Sequence, residues 1–160
     1  MKYKGYELSA ITSLAIFASA IDGECDENEI AVIFGHLACY DVPENDRHKI
    51  IELAANIPFE EAAIIVSKMD YQQKRHFAAF IGSIILADGK ITDLELNYWR
   101  KLSLATGLPT MTIKEAANIF TSNIVGRTQP TSQSSDKSIF RRWIGFIILV
   151  VIIYLIVEYN

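Results

Sequence analysis

Residues 80–109, FIGSIILADGKITDLELNYWRKLSLATGLP, decide the fold, because residues 15–43, AIFASAIDGECDENEIAVIFGHLACYDVP, state the same plan once before. Asp22-Gly23 followed by five residues and Glu29 recurs as Asp88-Gly89, five residues and Glu95, an offset of 88 − 22 = 66. Pro43 meets Pro109 at the same offset, closing the helical stretch after each acidic turn. Upstream, Ile11, Leu14, Ala15 and Ala18 correspond to Phe77, Phe80, Ile81 and Ile84. A unit long enough for a helix–turn–helix, used only twice, predicts a pseudo-two-fold all-α bundle. An open solenoid needs about three units or more.

Apolar spacing fills in the elements. Leu8, Ile11, Ala15 and Ala18 recur every three or four residues and predict a helix over 5–21, ended by Asp22-Gly23. A second helix is expected from about Glu27 to Tyr40, with Ile30, Ile33, Phe34 and Leu37 inward. Pro43 allows a third start near Glu44, running to about Asn56; Pro58 breaks it, and a shorter helix covers Phe59–Met69. The second half predicts helices over 71–87, 93–106 and 112–124, with Gly107 as a C-terminal cap and Thr112-x-x-Glu115 as a capping box. Sustained two-residue alternation is absent, so no strands are expected.

Charge divides the chain. Residues 1–124 carry 11 Lys and Arg against 17 Asp and Glu, a balance near −6; the remainder carries 4 against 2. An acidic body argues against nucleic acid as a partner, since that binding rests on neutralising phosphates. Two cysteines without a CxxC give no sign of an oxidising compartment.

The hydrophobic excess, 51% overall, is local: from Trp143 to Val157 every residue is apolar or Gly. Fifteen helical residues span roughly 22 Å, and Phe140, Tyr159 and the snorkelling Arg141, Arg142 and Glu158 close most of the gap to a ~30 Å hydrocarbon core. A buried surface helix would show a polar face, and this run has none. The sequence therefore predicts a domain over 1–124, a flexible polar linker over 125–138 and a single transmembrane anchor over 139–160. The basic pair before the span keeps the domain cytoplasmic. Lys2, Lys4 and the run to Ala18-Ser19-Ala20 imitate a secretory signal. Glu7, the interruptions at Ser9, Thr12 and Ser13, and the counterpart at residues 74–87 argue against it.

The acidic turns are the candidate site. Asp-Gly-x5-Glu matches the second half of a calcium-binding EF-hand loop, but the leading ligand positions are Ala18 and Ala20, then Ile84 and Leu86. Calcium takes six to eight oxygens, so neither turn forms a standard EF-hand. Asp26-x-x-Glu29 and Thr92-x-x-Glu95 instead have capping-box form. Capping leaves unexplained the first turn, where Asp22, Glu24, Asp26, Glu27 and Glu29 put five carboxylates in eight residues. Two functional readings stay open. One is a weak or shared divalent cation on Asp22, Asp26, Glu29, Asp88 and Glu95; the other is an acidic docking surface of Asp22, Glu24, Asp26 and Glu27.

The offset also judges the isolated candidates. Cys25 pairs with Ile91 and Cys39 with Ala105, which favours small buried hydrophobes over nucleophiles. His36 pairs with Leu102, predicting partial burial, while His48 and His76 lie in polar helix starts without a paired acid. Tyr98 and Trp99 read as core aromatics. No phosphate loop, GxSxG or HExxH occurs, and no acid, base and nucleophile set assembles, so no enzyme is expected.

The two quoted stretches together resemble the TerB-like helical domain of tellurite-resistance proteins and the related N-terminal domain of membrane-anchored DnaJ-type co-chaperones. The resemblance covers roughly residues 5–124. It implies an all-helical pseudo-two-fold domain, association with membrane-linked stress-response or defence complexes, and a metal-binding role for Asp22, Glu29, Asp88 and Glu95. Lys90 departs from the acid at the place matching Glu24, so an ion site would be asymmetric. The His-Pro-Asp triplet that a J-domain needs is absent from these residues. The sequence expectation is a membrane-tethered, non-enzymatic adaptor whose partners are other membrane-associated proteins, with self-association left open. Its rival is a metal-sensing module.

Overall fold

The computed structural model describes residues 3–21, 23, 27–40 and 42–125. They form seven α-helices and, among the described residues, no strand. The helices are α1 (Gly5–Ala20), α2 (Glu27–Cys39), α3 (Glu44–Ala54), α4 (Phe59–Ser67), α5 (Tyr71–Ile85), α6 (Asp93–Thr106) and α7 (Ile113–Val125). The expected linker beyond Val125 and the expected anchor over 139–160 lie outside the described residues. No helix among the described residues is long and apolar enough to cross a membrane.

Moving α1 by 66 positions gives 71–86, against α5 at 71–85; moving α2 gives 93–105, against α6 at 93–106. Each expected helix is present, and the ends differ by at most two residues. α3 stops at Ala54 and not Asn56, because Asn56 and Ile57 already bond back over three residues as a turn before Pro58. α7 extends one residue into the expected linker.

α1 and α5 are the central pair. Nearly every side of α1 is buried, including Ser9, Thr12, Ser13 and Ser19. A helix that is covered all round needs no polar face. Ser9 and Ser19 give their hydroxyls to carbonyls of their own helix, and Ser13 gives its to Ile57 of the α3–α4 turn at 2.8 Å. The eight residues matched by the offset, Ile11, Leu14, Ala15 and Ala18 with Phe77, Phe80, Ile81 and Ile84, all lie in the core. α1 packs on α2, α3, α4 and α5.

The tightest seam joins α5 to α7. A Cβ placed on Gly82 would lie 2.8 Å from Ala116 Cβ and 2.9 Å from the carbonyl oxygen of Ile113. Glycine lets the two backbones meet at that point. α4 has no counterpart among the described residues of the second half; it leans on α6 through Phe59, whose ring meets Tyr98 at 6.0 Å and lies 4.4 Å from Lys101 Nζ.

Candidate functional site

The two turn glycines adopt the same backbone conformation. Gly23 and Gly89 sit at φ +83° and +82°, in the left-handed region that Gly enters without steric cost. Gly23 N–H donates to Ala20 and Gly89 N–H to Leu86, carbonyls that are themselves 66 apart. The aspartate before the second Gly closes the bend: Asp88 Oδ1 accepts from Lys90 N–H at 2.9 Å.

Glu95 then caps α6. Thr92 Oγ1 accepts from Glu95 N–H at 3.2 Å, while Glu95 Oε2 accepts from Thr92 N–H at 2.7 Å and from the Thr92 hydroxyl at 2.9 Å. The carboxylate is buried, at 5% exposure, and points into its own helix start. The carboxylates of Asp88 and Glu95 are thus engaged by the turn that carries them. Among the described residues, no three His, Cys, Asp or Glu side chains converge as a metal site would require. Of the remaining candidates, Asp22, Glu24 and Asp26 lie outside the described residues. Glu27 starts α2, and Glu29 is buried at the position matching Glu95.

Thr112 and Glu115 form the expected box at α7, and their hydrogen bonds pull the Glu115 carboxyl below its usual range. A further capping box, not among the expected ones, opens α5. Asp70 Oδ1 accepts from Gln73 N–H at 2.8 Å, and Gln73 Oε1 from Asp70 N–H at 3.0 Å. Its Asp-x-x-Gln signature is plain in the sequence.

The cysteine expectation needs correcting. Cys39 is exposed, and so is its counterpart Ala105. The offset carried the exposure correctly, but an alanine does not mark a buried position, since it suits a solvent-facing helix side equally well. Cys25 lies outside the described residues, and Ile91, its counterpart, is 36% exposed. Tyr98 and Trp99 are buried, as expected of core aromatics.

His36 goes deeper than the expected partial burial. It is 2% exposed and lies flat on Phe80, ring centroids 3.6 Å apart at 6°. Tyr40 meets it at 4.7 Å and 71°, and Tyr3 meets Tyr40 at 4.9 Å and 79°. Tyr3 donates its hydroxyl to the Gln73 carbonyl, fastening the N-terminal segment to α5. Burial pushes the Tyr40 phenol up to about 12 and the Tyr3 phenol higher still, so both stay protonated. Leu102 predicted a covered position for His36, but nothing in the spacing announced this aromatic stack.

With this geometry in view, the chain is similar to the crystal structure of a protein of unknown function from Porphyromonas gingivalis W83. The two share 31% sequence identity and a TM-score of 0.67, over 76% of this chain and 92% of that one. The chain belongs to that protein's family. No protein-family profile and no curated protein matches the chain. Kinship within the family therefore supports the helical body and leaves its function to be argued from the turns.

Proposed function

We propose that this chain is a membrane-tethered, non-enzymatic adaptor. Its two helix–turn–helix units would form a pseudo-two-fold TerB-like domain that recognises proteins of a stress-response or defence assembly from the cytoplasmic side of a C-terminal anchor. The observation that carries the reading is the engagement of Asp88 and Glu95 by their own turn. The acids that both halves share are explained as turn closure and helix capping. The first half adds Glu24 where the second has Lys90 and Asp26 where it has Thr92, while Glu27 is matched by Asp93. Glu24 and the charge of Asp26 are surplus to the shared architecture, and they join Asp22, Glu27 and Glu29 within eight residues. Like charges so close repel unless something positive lies opposite, and a partner with Lys or Arg patches supplies it.

The experiment uses the full chain in detergent micelles, with Asp22→Asn, Glu24→Gln and Glu27→Gln combined. We expect the fold and melting temperature to persist with or without millimolar calcium, while salt-sensitive crosslinks to neighbouring membrane proteins in the native membrane disappear. A calcium-induced rise of several degrees in the native protein, lost in the triple variant, would replace this reading with divalent-cation binding.

A further inference from the structure

The seam between α2 and α5 contains a basic ring at a position that the second half fills with an aliphatic side chain. His36 lies fully covered on Phe80 of α5, and at the matching position α6 carries Leu102, also fully buried. The α5–α7 seam, built from Gly82, Ile113, Ala116 and Ala117, is apolar as well. Acid therefore acts on α2 through a fully buried base that α6 does not carry.

We propose that His36 makes α2 an acid-released helix: protonation of its imidazole frees α2 from α5 while α5, α6 and α7 stay packed. The groups around the ring set the direction. From α5 it faces Phe80 and His76, a second base; from just past the end of α2, Tyr40; through Tyr40, it reaches Tyr3 of the N-terminal segment. Glu7 of α1 and Asp70 before α5 act on Tyr3, raising its phenol further, and Glu7 Oε2 accepts from Lys4 N–H. From α3, His48 meets Phe34 of α2 at 5.6 Å. A cation over the Phe80 face gains some attraction. Loss of hydration in a fully covered site, with His76 repelling, outweighs it and pushes His36 down to about 3.

The packed ring thus refuses a proton that the released ring accepts near 6.5. Attachment of α2 is at full strength above that pH and weakens as pH falls toward 3. At pH 5 the opening equilibrium of α2 should rise about 30-fold over its value at high pH, from the 1.5-unit distance below 6.5. Opening of one helix while the rest stays folded is ordinary sub-global behaviour.

Amide hydrogen exchange on the full chain in detergent micelles, corrected for intrinsic rates, tests this between pH 7.5 and 5. Protection over Ile30–Leu37 should fall about 30-fold while α5 and α7 hold theirs. His36→Leu, which copies the second half, should abolish the effect, and His48→Gln should leave it. Unchanged α2 protection, equal loss in all helices, or a pH dependence that survives His36→Leu would overturn the proposal. Should that variant not fold, NMR titration of the His36 ring decides: a ring neutral at pH 5 in packed α2 supports release. One that titrates near 6.5 with α2 still protected refutes it.

Discussion

The hydroxyl of Tyr98 on α6 donates a 2.6 Å hydrogen bond to the backbone carbonyl of Leu14 on α1, across 84 residues of chain. Both residues are buried, and the bond ties the second half to the middle of the central helix of the first. Burial raises the Tyr98 phenol well above its ordinary value, so it stays a donor. Tyr98→Phe should cost about 1 kcal/mol, the net worth of one such bond, because the Leu14 carbonyl keeps its helical partner. Urea denaturation, read by Trp99 fluorescence, measures it.

Gly82→Ala forces a methyl group to within 2.8 Å of Ala116 Cβ and 2.9 Å of a backbone oxygen. The helix-propensity gain of Ala is about 1 kcal/mol, and overpacking costs about 1–3 kcal/mol. Backbone cannot move aside as a flexible side chain can, so the cost wins. Thermal unfolding should show a lower melting temperature.

The second turn separates two kinds of contribution. Thr92→Ala removes an N-cap oxygen and should cost about 1 kcal/mol. Gly89→Val should cost more, since φ +82° strains a β-branched residue even though open space surrounds the site. Native-like stability in both variants would remove the capping account of Asp-Gly-x5-Glu.

Thr12 on α1 is fully buried, and its hydroxyl has no hydrogen-bond partner among the described residues. The matching position in α5 is Ala78, also buried. Thr12→Val keeps the shape and removes the desolvated oxygen, so it should stabilise the domain by about 1 kcal/mol. A loss of stability in denaturant titration would show that the hydroxyl is satisfied in solution.

The proposed anchor predicts an orientation. With Arg141 and Arg142 on the cytoplasmic side, a cysteine placed at Ser134 should resist an impermeant thiol reagent added to intact cells. One placed at Asn160 should react. The reverse pattern would revive a secretory reading of the N-terminus.

The helical body was legible in the amino-acid order because its signals are local. Apolar spacing, Pro43 and Pro58, Gly107 and the Thr-x-x-Glu boxes act within a few residues of themselves, and the observed helices begin and end close to them. The offset of 66 sorted core from surface at Ile11, Leu14, Phe77 and Phe80 before any packing was known. At Cys39 it matched two exposed positions, but an alanine fits either environment, so reading burial from it was wrong. The sequence by itself thus determined the helices, their turns and the charge of the acidic stretch. Tertiary structure alone decided that α1 is enclosed on nearly all sides, that Gly82 receives α7, and that His36 lies flat on Phe80. Those outcomes depend on which distant helix arrives and how closely. No spacing along one helix records the shape of the neighbour that will cover it.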